Sequence, residues 1–122
     1  MRDTGRACER AACDYLVKKG YKIKERNYCI KGGEIDIIAV KDDLLVFVEV
    51  KGRTYGYDVA AFGSPYFAVN KAKQSHIKKC AAEYLKTHGR NGRIPRFDVI
   101  DILIHEHTDC VSLEINHYER AF

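Results

Sequence analysis

The chain has 122 residues and a mass of 14.0 kDa, with 46% hydrophobic and 31% charged residues and a formal net charge of +4. That size suits one compact domain, residues 1–122, around one core, and argues against a second domain. No apolar run approaches the ~20 residues that span a bilayer, and the N-terminal stretch carries Asp3 and Glu9 in place of an apolar signal core, so a soluble, cytoplasmic protein is expected.

In chain order, the first element is a helix. Thr4 can cap it, Cys8, Ala11, Ala12, Tyr15 and Leu16 recur at helical spacing, and Gly20 ends it. Tyr21 to Ile30 mixes apolar and basic residues, in places alternating, as an outer strand with one wet face would. Two largely apolar runs follow, Ile35 to Val40 and Leu44 to Val50, with Lys41 to Asp43 suited to a tight reversal between them. Both read as central strands covered on each face.

These two strands carry charge where little belongs. Side chains two apart on a strand share a face, so Glu34 and Asp36 point one way on the first, and Glu49 and Lys51 point one way on the second. Four charged groups can therefore meet at one patch. A carboxylate taken out of water is costly unless it is paired or coordinates a metal. Two arrangements satisfy that requirement. One is a cross-strand salt bridge from Asp36 or Glu49 to Lys51; the other is a hard-cation site in which the two carboxylates bind magnesium and the lysine steers or activates a water.

From Gly52 to Val69, glycines and Pro65 interleave with Tyr55, Tyr57, Phe62, Tyr66 and Phe67, a connection longer than most. Its aromatics could stack on unpaired bases, while Phe62 and Phe67 could equally anchor the segment to the core. Tyr55 and Tyr57, beside Arg53, are the better candidates for nucleic-acid contact. Asn70 can cap a second helix with Ile77, Cys80, Ala81, Tyr84 and Leu85 on one stripe, and Gly89 marks its end. Arg96 to Ile104 then reads as a buried strand, and a last strand runs near Val111 to Tyr118.

Five cysteines, odd in number and without a CxxC pair, suggest reduced thiols rather than a zinc ribbon or a disulfide framework. His105 and His107 share a strand face without a clear third ligand, which suits a solvated or core-edge position better than a zinc site. Charge is uneven along the chain: Lys18 to Lys31 holds six basic residues and one acid, Lys71 to Arg96 eight and one, and Phe97 to Phe122 six acids and only Arg120. Basic runs can be solvated helix faces, but two of them flanking the four charged groups also suit phosphate binding.

Asp36 followed by Glu49, Val50 and Lys51 resembles the PD-(D/E)XK nuclease signature, with Ile35 where the name's proline would stand. Over nearly its whole length the chain is similar to the uncharacterised bacterial YraN-like family, itself thought to be related to archaeal Holliday-junction resolvases. The resemblance is carried by Gly5 to Glu9, Gly20 and Tyr21, Gly33 to Asp36, Val48 to Lys51 and Arg53. It continues through Phe62 to Pro65, Lys71 to Gln74, Arg96 to Val99, and Ala121 with Phe122. Two positions depart from the family's pattern: Cys8 stands where glycine is more usual, and Gly52 where Thr, Ala or Ser follows the lysine.

The resemblance implies an α/β fold, a restriction-endonuclease-like core with a mixed central sheet flanked by helices in the order αβββαββ. It implies Asp36, Glu49 and the Val50 carbonyl as ligands of Mg2+ or Mn2+, Lys51 acting on the water or the scissile phosphate, and Glu9 as a further acid near the metal. Glu34 belongs to the pattern with no role assigned. Arg53, Tyr55, Tyr57, Lys71, Lys73 and Gln74 are candidates for nucleic-acid binding. The function expected is metal-dependent hydrolysis of DNA phosphodiester bonds, with branched DNA as the substrate class. The alternatives are RNA as substrate, and a noncatalytic nucleic-acid-binding or adaptor protein that keeps the fold. Resolvase-like relatives act as dimers, which makes a homodimer an expectation without a sequence-marked interface.

Overall fold

A computed structural model of the chain describes residues 2–54 and 70–122, with side chains described from Gly5 onward. Helix α1 (Arg2–Lys18) starts two residues before Thr4, since nothing in Arg2 or Asp3 breaks a helix; the cap expected at Thr4 therefore does not mark the start. It ends as expected at Gly20, which takes φ 98°. There the Gly20 N–H donates to the Val17 carbonyl and the Tyr21 N–H to the Leu16 carbonyl, the paired bonds of a Schellman turn that satisfy two terminal carbonyls.

Strand β1 (Lys22–Ile30) is paired on one side only and alternates in exposure, as an edge strand should. Strands β2 (Gly33–Lys41) and β3 (Leu44–Thr54) form a hairpin closed by Asp42 and Asp43, with Asp42 at φ 53°. Asp tolerates that left-handed conformation better than most residues. Strand β3 runs four residues past the expected end at Val50, because its pairing with β4 (Ile94–Glu106) continues to Thr54 opposite Ile104. The aromatic connection expected to follow, with Tyr55, Tyr57, Phe62 and Phe67, lies outside the described residues.

Helix α2 (Lys71–His88) is capped by Asn70, whose side-chain oxygen accepts from the Lys73 N–H at 2.9 Å, and ends at Gly89 at φ 76°. It lies on the crossover between β3 and β4, which are parallel; all other neighbours are antiparallel, and β5 (Val111–Tyr118) forms the second edge. The sheet order follows the chain, β1-β2-β3-β4-β5.

The two helices cover opposite faces. Cys8, Ala12 and Leu16 of α1 pack on Ile37, Val46, Val48, Ile100 and Ile102. Ile77, Cys80, Ala81 and Tyr84 of α2 pack on Ile38, Leu45, Phe47 and Val99. Over Ile37–Val40 of β2 and Leu45–Val48 of β3, alternate residues thus enter alternate layers, which is why these stretches are apolar on both faces. The order αβββαββ with a mixed five-stranded sheet is a restriction-endonuclease-like fold. Cys8, Cys13 and Cys80 are buried free thiols, as small core residues, while Cys29 and Cys110 are exposed. Among the described residues, no helix is long and apolar enough to cross a membrane.

Candidate active site at the fork between β2 and β3

Simple alternation does not survive along β2. Ile35 and Ile38 both pack on the α2 side, while Ile37 between them packs on the α1 side. The phase therefore slips at Asp36. The pairing with β1 skips the Asn27–Asp36 position, where Asn27 takes φ 53°, and the pairing with β3 stops at Ile37 opposite Val48. Such an irregularity re-aims a side chain beside a sheet. At this fork the Val50 N–H donates to Asp36 Oδ2 at 2.8 Å.

Regular strand period therefore does not set the relation of Glu34 to Asp36, but the two carboxylates lie within electrostatic reach of one another and of Glu9. A Cβ at Gly33 would approach the α2 backbone at His76, so Gly33 and Ile35 face α2 and Glu34 turns toward α1. There Glu34 is exposed and adds to the negative field on Glu9. Burial and the neighbouring Asp36 push the Glu9 carboxyl up, against a hydrogen bond with Asn27. Glu9 is thus brought to the site from the first helix.

Asp36 and Glu49 come together. Their side chains are in hydrogen-bonding contact, and Asp36 is pushed up to about 7, first by burial and then by the Glu49 charge, with the Val50 N–H pulling the other way. Glu49 is only 5% exposed and meets Lys73 Nζ of α2 at 3.5 Å. The salt bridge from Lys51 to Asp36 or Glu49, one of the two arrangements open from the sequence, does not form; Lys51 is half-buried and, among the described residues, makes no ion pair. Glu49 takes its cation from α2 because Lys73 sits in the first turn of the helix over that face.

The remaining candidates separate. Arg53 is buried and lies 3.6 Å from Asp101 on β4, so it meets an acid of the sheet rather than opening onto solvent. Lys71 is exposed and Gln74 half-buried at the start of α2. Tyr55 and Tyr57 lie outside the described residues. His105 bonds Glu114 at 3.1 Å and His107 bonds Ser112 at 3.0 Å, both on the exposed β4–β5 hairpin.

The oxygen donors suit a hard cation. No cluster of three or more His, Cys, Asp or Glu side chains able to hold a metal occurs among the described residues. Two carboxylates are nevertheless enough for magnesium, which keeps several of its waters and is held by one or two protein carboxylates. The crowding that raises Asp36 is what a divalent ion would relieve.

A second buried polar cluster, not singled out from the sequence, is built on the first half of β4, where Asp98 pairs with Val48. Asp98, fully buried, accepts from Arg96 Nε at 2.9 Å and Nη2 at 2.8 Å, from His117 Nε2 at 2.7 Å and from the Arg120 N–H at 3.2 Å. Arg96 also donates to the Tyr21 hydroxyl at 2.7 Å, and His117 Nδ1 lies 3.0 Å from the Tyr15 hydroxyl. The signal was present, two charges inside the apolar run Arg96 to Ile104, but it suits buried pairing as well as chemistry.

The family described as "Uncharacterised protein family UPF0102" matches residues 8–102 of the chain. The chain is 40% identical over 121 residues to a UPF0102 protein of Clostridium botulinum (strain Alaska E43 / Type E3), covering 99% of this chain and 94% of the relative. It is 44% identical over 116 residues to one of Alkaliphilus oremlandii (93% and 92%) and 43% over 121 residues to one of Syntrophomonas wolfei (99% and 98%).

Proposed function

From the premise that the chain belongs to the UPF0102 family, the YraN-like family its sequence resembles, we propose that it is a metal-dependent endonuclease hydrolysing DNA phosphodiester bonds, with branched DNA as its substrate class. One observation carries the reading. Asp36 and Glu49 face each other at a fork in the sheet with Asp36 pushed up to about 7, an arrangement that costs stability unless a cation sits between the two.

Asp36, Glu49 and the Val50 carbonyl would hold Mg2+ or Mn2+. A bound ion supplies Lewis acidity and lowers the pKa of a coordinated water. The Val50 N–H fixes one oxygen of Asp36 and so orients the other. Lys51, without an ion-pair partner among the described residues, is available to position a water or to offset charge on the phosphate. Glu9, raised first by burial and then by its acidic neighbours, is suited to hold a proton near the same point. Lys71, Lys78, Lys79 and Lys86 on exposed positions of α2 provide a positive track, which predicts binding that weakens steeply with salt.

The test incubates purified protein with labelled four-way junction, flap, single-stranded and linear duplex DNA and an RNA counterpart, in Mg2+, Mn2+ or EDTA. Asp36→Ala and Lys51→Ala variants run beside the wild type. The expected result is metal-dependent cleavage, greatest on branched DNA and reduced to background in both variants while binding persists. Salt-sensitive binding with no cleavage by any form would move the reading to a noncatalytic adaptor.

A further inference from the structure

Lys73 occupies a position with two possible uses. Its Nζ lies 3.5 Å from Glu49 Oε2, and its side chain is 44% exposed while Glu49 is 5% exposed. Its backbone is fixed, since its own N–H is bound by the Asn70 cap at 2.9 Å, but the four-carbon stem is free to swing outward. An ammonium and a divalent ion at the same buried carboxylate repel one another strongly, because the low local dielectric screens them poorly. Occupation of the site by one therefore disfavours the other.

Resting on the metal-site reading above, we propose that Lys73 is a built-in competitor for the divalent cation at Asp36 and Glu49. Cation uptake displaces it toward solvent, where it becomes a phosphate contact for the bound nucleic acid. Lys73 is then a positioning residue that couples two events. By linkage, whatever Lys73 gains on phosphate strengthens cation binding by the same factor. The geometry suits this role better than a fixed structural pair, because the acid is buried and only the cation can leave.

The experiment measures Mn2+ binding to the full chain by calorimetry, without nucleic acid and at fixed ionic strength, for wild type, Lys73→Met, Lys73→Gln and Asp36→Asn. A half-exposed ion pair of this kind predicts that both Lys73 variants bind Mn2+ about two- to fivefold more tightly than wild type. Asp36→Asn should lose the binding. Loss in Asp36→Asn with unchanged or weaker binding in both Lys73 variants would overturn the competitor role and leave the metal site standing. Full Mn2+ binding by Asp36→Asn would instead remove the metal-site reading itself. A second readout is the salt dependence of binding to duplex DNA with and without Ca2+. Adding Ca2+ should steepen the logarithmic slope by about 0.9 in wild type and not in Lys73→Met; equal slopes in both would show that the ammonium is not released to phosphate.

Discussion

Asp36 and Asp98 are acids set into the interior strands of one sheet, and their surroundings are opposite. Around Asp98 every neighbour is a donor: two guanidinium nitrogens, an imidazole nitrogen and a backbone N–H. Burial alone would raise its pKa, but the bonds from His117 and Arg96 and the Arg120 N–H hold it below the usual carboxylate range. Asp36 has one backbone donor and a second carboxylate, and is raised to about 7. A buried acid matched by donors is architecture, whereas a buried acid facing another acid, with only the half-exposed Lys73 against the pair, carries more negative charge than its neighbours offset. The contrast supports placing the proposed metal site at the β2–β3 fork rather than at the more richly bonded cluster on β4.

The sharpest way to break this contrast is to remove Asp98. Asp98→Ala leaves the Arg96 guanidinium, 8% exposed, without its main partner, and the expected loss is about 3–5 kcal/mol of stability. Denaturant unfolding at pH 7 measures it, and a loss below about 1 kcal/mol would mean that the cluster behaves like a surface pair. The pH dependence follows from the depressed pKa. The contribution of Asp98 is fully present above its unfolded value of about 4 and is lost as pH falls through the folded one, so wild type and variant should converge in acid.

Asp36 should respond in the other direction. Its folded pKa is raised from 3.8 to about 7, so its ionisation opposes folding increasingly as pH rises through that interval. Asp36→Asn should therefore stabilise the protein without added metal at pH 8 by roughly 2–4 kcal/mol, an upper range because the side chain is partly exposed. The gain should vanish by about pH 4. Thermal unfolding in EDTA at the two pH values reads it out. A destabilised variant at pH 8 would place Asp36 with Asp98 among the structural acids.

Much of this was legible in the sequence, and for definite reasons. The element order followed from period and caps: the Asn70 cap, the stripe from Ile77 to Leu85, and the apolar runs of β2 and β3 report local physics directly. Asp36, Glu49 and Glu9 do converge, with Glu34 in electrostatic reach of Asp36 and Glu9, although the alternation of β2 breaks between Ile35 and Ile37. A one-residue irregularity leaves the hydrophobic pattern nearly unchanged, so it escapes any reading by alternation. The partner of Glu49 was also illegible. Lys51 lies two residues away on the same strand, but the crossover brings Lys73 over that face instead, a tertiary fact that spacing cannot supply.

A finer comparison concerns how each region is packed, and it turns on the two positions that depart from the family's pattern. A Cβ added at Gly52 would lie 2.5 Å from the Cys8 sulfur and 3.4 Å from its Cβ. Cys8, 2% exposed on α1, therefore fills the space that a Thr, Ala or Ser after the lysine would occupy, so the two departures compensate one another. Gly52→Ala should cost about 1–3 kcal/mol by overpacking. Adding Cys8→Gly should recover most of that loss beyond the ~1 kcal/mol that a helical glycine itself costs; a double-mutant cycle gives the coupling. Gly52 adjoins Lys51 and Cys8 adjoins Glu9, so under the proposed nuclease function the single variant should lose cleavage in parallel with stability, and the double variant should regain both. Asp98 variants, whose partners are Arg96, His117 and the Arg120 N–H, should lose stability alone. Additive effects at positions 8 and 52 would show that α1 shifts freely over β3, and the site would then owe its shape to something other than this contact.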